Sequence, residues 1–360
     1  MSTQLLDPCE MKELQPAYGL WERYRPDQAP YRFQATTLEE ARAWQEATRL
    51  TLAATLGFND LPPAPLDPVL VEQVDKGLYV REKWLLRTSA HTLMPVYLLI
   101  PQVGEPPFPS VLAFHGHGYG VKDIVGLWED GEERDTPEGY HQDFGVALVK
   151  RGFAVAAPEI SCFGERQTDF SYLNTTIGQG VPTSCTHAAM LAFHLGGSVV
   201  GLRAADGRRL VDYLETRAEF DTARLGAMGI SGGGMHTFFS TCLDTRIKAC
   251  VVSGYYSTFR DSVLAMAHCA CNFVPGLHVF GEMYDLVGLI APRPMLVEAG
   301  TYDPIFPIEA VLASVERARA VYGVFGAEDA IETDVFEGRH RISGRMAYDF
   351  LMATLAGKES

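Results

Sequence analysis

The sequence predicts an α/β fold: a mostly parallel central sheet with helices on both faces and an antiparallel hairpin at its N-terminal side. Three observations predict it. Short, wholly apolar runs recur at Ser110–Phe114, Ala154–Ala157, Leu225–Ile230 and Ala249–Val252, and Pro294–Ala299 and Ile331–Phe336 complete the set. Runs of that kind are strands buried on both faces. Helical patterns lie between or after them, at Tyr140–Arg151, Ser198–Arg217, Gly234–Leu243, Ile308–Tyr322 and Ser343–Leu355, and such alternation implies parallel pairing through crossover helices. Ahead of them, Gly77–Thr88 and Thr92–Pro101 flank a short turn at Ser89-Ala90-His91 and read as the hairpin.

Residues 1–34, rich in Pro, Tyr and Arg, read as an extended arm laid over the body. Thr37 and Glu40 then form a capping box. Leu38, Ala41, Trp44, Ala47, Thr48, Leu52 and Leu56 give that helix one apolar face, and Gly57 ends it. Leu61-Pro62-Pro63-Ala64-Pro65 is a stiff linker. We divide the chain into an arm and helix over 1–76, packed on the body, and an α/β domain over 77–360. The arm covers the sheet edge or pairs with another subunit, so a homo-oligomer is left open. Two connections, 161–197 and 254–293, exceed ordinary loops. Both follow strand carboxyl ends, where lids and pockets are built.

The 360 residues carry a formal charge of −15, which argues against nucleic acid, whose phosphates require a basic face. No run approaches a membrane span, so no membrane partner is expected. The start of the chain lacks a basic segment followed by an apolar one. Seven scattered cysteines suit reduced thiols in a cytoplasmic protein better than a disulfide framework.

The chemistry centres on Gly229-Ile230-Ser231-Gly232-Gly233-Gly234, an apolar strand, a glycine-lined turn with serine at its tip, and a helix. A serine hydroxyl is a poor nucleophile unless a base takes its proton and donors receive the oxyanion. His115-Gly116-His117-Gly118 follows the first parallel strand, where free N–H groups can face an anion. Gly232 supplies a second N–H and begins a helix, adding the positive dipole end. The same loop also reads as a His-Gly turn, or as a metal pair at His115 and His117. Asp303 follows the strand Pro294–Ala299 and His340 follows the strand Ile331–Phe336. Ser231, Asp303 and His340 therefore reach one sheet edge in the order Ser, Asp, His.

With Phe114–Gly118, Ala157-Pro158-Glu159, Phe163-Gly164-Glu165-Arg166, Ala291-Pro292-Arg293-Pro294 and the Asp303 and His340 loops, these residues resemble the α/β-hydrolase superfamily. The similarity is to its dienelactone-hydrolase-like and acetyl-xylan-esterase-like serine esterase branch, over roughly residues 77 to 357. The resemblance implies an α/β-hydrolase fold with lid insertions, Ser231 as nucleophile, His340 as general base and Asp303 as its orienting acid. It also implies an oxyanion hole from the backbone N–H groups of His117 and Gly232, and no cofactor. Ser231 stands where dienelactone hydrolases carry cysteine, and Ser231-Gly232-Gly233-Gly234 replaces the Ser-Gln-Gly-Gly elbow of one acetyl-xylan esterase family.

The expected activity is a carboxylesterase working on a small-molecule ester through an acyl-enzyme. The alternative is a carbon–carbon bond hydrolase on a diketone-like substrate, and a non-catalytic binding protein is a third reading. His115, Tyr255, Glu165 and His268 are candidate substrate contacts. Glu165 and Arg166 read as an ion pair at the pocket wall or on the surface. Cys269 and Cys271 with His268 read as packing within a lid in preference to a metal cluster, because the spacing is not Cys-x-x-Cys. No metal is expected.

Overall fold

Among the described residues, nine strands form one sheet in the order β1-β2-β3-β5-β4-β6-β7-β8-β9. They are β1 (Val69–Asp75), β2 (Tyr79–Ser89), β3 (Thr92–Pro101), β4 (Phe108–Phe114), β5 (Ala154–Pro158), β6 (Phe220–Ile230), β7 (Ala249–Ser253), β8 (Met295–Gly300) and β9 (Ile331–Phe336). The structure is a computed structural model that describes residues 12–59, 64–169 and 183–355. Most of the expected 61–65 linker, and part of the first insertion, lie outside the described residues.

β1, β2 and β3 pair antiparallel, and β3 pairs antiparallel with β5. From β5 through β4, β6, β7 and β8 to β9 every pairing is parallel. The α/β architecture read from the sequence is therefore present. β1 was not foreseen, and it moves the start of the sheet across the boundary placed at residue 76. Its seven residues are almost all exposed, so they carry no alternation that periodicity could detect.

The helices are α1 (Pro16–Arg23), α2 (Leu38–Leu56), α3 (Phe144–Val149), α4 (Ser184–His194), α5 (Val199–Leu214), α6 (Gly232–Leu243), α7 (Met283–Leu286), α8 (Ile308–Val324) and α9 (Ala347–Leu355). Strand residues alternate between two cores, as the period of two demands. Val111, Ala113, Met228 and Ile230 pack with Phe144 and Leu148 of α3 and Leu351 and Leu355 of α9. On the other face, Leu112, Phe114 and Ala227 meet Leu210 and Leu214 of α5, and Cys250, Val252 and Val297 meet Phe238 of α6 and Val315 of α8.

The capping box at Thr37 and Glu40 is present, with Gly57 as the C-cap of α2. The arm is not simply extended, since α1 opens at Pro16. The arm packs on the body through Tyr24, whose hydroxyl donates to Glu282 (2.6 Å), and through the Tyr31 N–H, which donates to the Val279 carbonyl (2.9 Å).

Two helices start later than their patterns suggest, and both delays bear on the site. Gln142 and Asp143 have φ of 53° and 45°, and Asp143 is paired with the buried Arg134, so α3 begins only at Phe144. Ser343 and Gly344 give their N–H groups to Glu298 (3.4 and 2.9 Å), so α9 begins at Ala347.

β4 and β6 are neighbours, while the chain leaves β4 toward β5 on its other side. This is a topological switch point, where the loops after adjacent strands open a crevice. The loops after β4 and β6 are the His115–Gly118 loop and the Ser231 turn.

Candidate active site

Ser231 joins β6 to α6 with φ 56° and ψ −120°. Positive φ is uncommon for a residue with a Cβ and must be imposed by its surroundings. Its N–H donates to the Ser253 carbonyl of β7 (3.0 Å), and its carbonyl accepts from the Met235 N–H (2.8 Å). Two residues on, a Cβ at Gly233 would collide with the Phe114 and His115 carbonyl oxygens. Only glycine lets the first turn of α6 press against the end of β4 this closely. The Gly232 N–H lies in that first turn, where helix donors have no partner of their own.

His340 and Asp303 meet across the loops after β9 and β8. His340 Nδ1 is 2.7 Å from Asp303 Oδ2, and Asp303 Oδ1 accepts the Ile305 and Phe306 N–H groups at 2.8 and 3.2 Å. The aspartate is thus aimed by its own turn. With Nδ1–H donated to Asp303, the lone pair sits on Nε2, and Nε2 is shielded from solvent without a partner among the described residues.

The imidazole lies against Tyr140 (ring centroids 5.5 Å) and Phe306 (5.9 Å, interplanar angle 20°). Its Cε1 edge packs over Gly254, the residue after Ser253, and Ser253 carries the carbonyl that holds the Ser231 N–H. The structure thus brings Ser231, Asp303 and His340 to the carboxyl edge of the sheet. Ser231 and His340 are not hydrogen-bonded to each other. Such contacts often tighten only when substrate is bound.

The His115–Gly118 loop is held by residues that the sequence reading did not single out. The Gly116 N–H donates to His141 Nε2 (2.7 Å), and His141 Nδ1 is 2.7 Å from Asp123 Oδ2. Arg134 pairs with Asp123 (3.0 Å) and with Asp143. Asp123 is buried, which alone would raise its pKa. The hydrogen bonds from His141 and Arg134 outweigh this and bring it down to about 2. Burial also holds His141 below its ordinary value, against the pull of Asp123. The Tyr140 hydroxyl donates to the His117 carbonyl. No local spacing announces this network, which forms only when the segment after residue 120 folds back on the loop.

The four proposed substrate contacts fare differently. His115 is fully buried, with Nε2 3.0 Å from both Glu159 Oε1 and the Ile160 N–H. Its ring points into the protein, which corrects its assignment as a substrate contact. Tyr255 is also corrected: it is buried, packed on Phe306. Glu165 pairs with Lys83 (2.7 Å) and Arg166 with Asp206 (2.7 Å), so the two do not pair with each other. Both line a cleft of about 830 Å³ that none of Ser231, Asp303 and His340 lines, so Glu165 is not at the candidate site. His268 is half-buried against Phe306 (6.0 Å), and burial lowers its pKa; it remains beside the site.

Comparison with known proteins agrees with this architecture. A model of the Abhydrolase family matches residues 17–320. The chain is 29% identical over 285 residues to "Putative hydrolase YtaP" of Bacillus subtilis (strain 168), covering 76% of this chain and 86% of that one. Among solved structures it is similar to a "putative acetyl xylan esterase" from Bacteroides fragilis NCTC 9343, with a TM-score of 0.74 and 17% identity, covering 90% and 82% of the two chains. It is also similar to a glucuronoyl esterase from Solibacter usitatus, with a TM-score of 0.64 and 16% identity, covering 87% and 93%. At these identities the structural likeness speaks for the fold.

Proposed function

The chain belongs to the Abhydrolase family, and from that premise we propose that it is a serine hydrolase of carboxylic esters working through an acyl-enzyme. The observation that carries the reading is the shielded Nε2 of His340, without a partner among the described residues, backed by Asp303 and at the same sheet edge as Ser231.

In the proposed reaction, Ser231 Oγ attacks the ester carbonyl as its proton passes to His340 Nε2. The oxyanion so formed is received by the backbone N–H groups of His117, in the loop held by His141, and of Gly232, in the first turn of α6; donors already in place cost little reorganisation. Asp303 stabilises the imidazolium. Collapse breaks the carbon–oxygen bond to the alcohol, which leaves with the proton from His340. A water molecule, deprotonated by the same nitrogen, then attacks the acyl-enzyme and releases the acid and free Ser231. Phe306 and Tyr140 against the imidazole limit its rotation, so the proton is taken and returned along one direction.

The test is hydrolysis of a chromogenic acetate ester by the wild type and by Ser231→Ala. The variant should lose at least about 10³ in kcat, and a variant that keeps most of the rate removes Ser231 as nucleophile. A panel of sugar esters is the natural extension, since structural neighbours are named for acetyl xylan and glucuronoyl esters. A diketone assayed beside them separates ester from carbon–carbon cleavage.

A further inference from the structure

We propose that His117, Cys185, Cys269 and Cys271 form a closed, structural zinc site that ties the His115–Gly118 loop to both insertions. The proposal is independent of the hydrolase reading and replaces the expectation that no metal is held. That expectation rested on the spacing of Cys269 and Cys271 with His268, and on the lack of a further His or carboxylate at a matching spacing to His115 and His117. The fold supplies two ligands that local spacing could not reveal, Cys185 on α4 and His117 after β4, while His268 turns to Phe306.

The geometry fits a four-coordinate ion. One ligand atom from each of the four residues lies within 4.8 Å of every other. The Cys271 Sγ is 3.7 Å from His117 Nε2 and 3.2 Å from the Cys269 Sγ. Tetrahedral zinc, with Zn–S near 2.3 Å and Zn–N near 2.0–2.1 Å, sets ligand atoms about 3.6–3.8 Å apart; the Cys271–His117 separation matches this, and the Cys269 thiol would move outward by about half an ångström to meet it. Three thiolates and an imidazole are the donor set that selects zinc over hard cations. Four protein ligands leave no open position, so the ion would hold structure and not activate water. Cys162 adjoins Cys185 but is outside this set.

A second observation comes from the charge around the cluster. Arg203 of α5 is fully buried, and it has no carboxylate partner among the described residues. It faces the sulfurs, with Nη1 3.6 Å from the Cys271 Sγ and Nη2 3.9 Å from the Cys185 Sγ, and its other donated bond is to the Ser161 carbonyl (3.1 Å). A buried guanidinium needs a compensating negative charge. Three thiolates, a neutral imidazole and Zn²⁺ sum to −1, which Arg203 balances. His117 and Cys269 are half-buried while Cys185 and Cys271 are buried, so the ion would enter from the side of the first pair.

The consequence concerns the candidate active site. A Cβ at Gly232 would lie 3.1 Å from His117 Nδ1, so the His117 ring borders the start of α6. Fixing that ring through Nε2 fixes the loop whose backbone N–H is the proposed oxyanion donor.

The experiment measures metal in the full chain, purified without chelators, by elemental mass spectrometry. Wild type and Ser231→Ala should both carry about one zinc per chain, which keeps this test apart from hydrolysis. Cys185→Ser and Cys269→Ser should lose it, with circular dichroism reporting whether they fold. A readout that needs no variant is cobalt substitution of the wild type, which should give thiolate-to-cobalt charge-transfer and tetrahedral d–d bands. Wild type that neither carries zinc nor takes up cobalt with those bands overturns the proposal. So does alkylation mapping that finds Cys185 joined to Cys269 or Cys271 by a disulfide.

Discussion

The Gly116 N–H donates to Nε2 of His141 over 2.7 Å, so one buried imidazole holds the loop that supplies the proposed oxyanion donor. The bond requires a neutral ring with its proton on Nδ1, facing Asp123. His141→Ala removes the acceptor of the Gly116 N–H and the partner of Asp123 Oδ2, while Arg134 still holds Asp123 Oδ1. We expect kcat for ester hydrolysis to fall about 10- to 10²-fold with KM nearly unchanged, because misplacing a donor weakens the transition state more than the ground state. His141→Gln, which keeps an acceptor, should recover part of the loss. Equal activity in wild type and His141→Ala would detach the network from catalysis.

The same histidine sets a pH dependence. Burial lowers its pKa in the folded protein, whereas the unfolded chain takes the proton from about pH 6.5 downward. The unfolded state then binds more protons, so stability falls as pH drops below that value. Asp123, brought down to about 2 in the folded state, adds a second loss between about pH 4 and 2. Thermal melts of His141→Gln between pH 7 and 5 should show a shallower decline than the wild type. An unchanged slope would mean that His141 is not the group being titrated.

Asp303→Asn separates orientation from folding. The Asn carbonyl can still accept the Ile305 and Phe306 N–H groups that Asp303 Oδ1 receives, so the turn should survive. Its amide would then face His340 as a donor. Nδ1 would have to accept, the ring proton would move to Nε2, and His340 could no longer act as base. We expect a loss of kcat on the order of 10⁴ with a melting temperature close to wild type. A loss of less than tenfold would show that Asp303 does not set the tautomer.

What could be read from the sequence was whatever a strand end fixes. Ser231, Asp303 and His340 each follow a strand-like run, so counting strands placed all three at one edge. What could not be read depends on how long segments return. His141 reaches Gly116 from 25 residues away, and Cys185 meets Cys271 from the other insertion. His115 and His117 look equivalent in sequence, yet in the turn their rings point to different places, one to Glu159 and one toward Cys271. No periodicity distinguishes them.

Gly254→Ala tests how tightly the base is seated. Gly254 has φ 50°, and a Cβ there would lie 2.9 Å from His340 Cε1 and 3.1 Å from Nδ1. The imidazole would have to shift, and a shift of a few tenths of an ångström moves Nε2 relative to Ser231. We expect kcat to drop about 10²-fold and stability to fall by about 1 kcal/mol from the unfavourable φ. Gly152→Ala is the control: its φ is 92°, and no atom of the described residues lies within 4 Å of the new Cβ. It should show a similar loss of stability with unchanged kcat. If Gly254→Ala also keeps its kcat, the packing of His340 does not govern the reaction.

Glu298 gives the fold a pH dependence opposite in sign to that of His141. It lies in β8, its carboxyl buried and accepting the Gly344 N–H just after the His340 loop. Burial raises its pKa to about 7, only partly offset by that bond, by Ser253 and by the Ser343 N–H, while nearby Asp334 adds to the rise. The folded state therefore holds a proton that the unfolded chain releases near pH 4.3. The resulting stabilisation is fully present below the unfolded value and is lost as pH rises through about 7. Glu298→Gln keeps an oxygen for the Gly344 N–H and never ionises. Its melting temperature should change little between pH 5 and 8 from this source, and it should exceed the wild type at pH 8, where ionisation costs on the order of 3 kcal/mol. A wild type as stable at pH 8 as at pH 5, with no gain from Glu298→Gln, would show that the carboxylate is compensated within the fold.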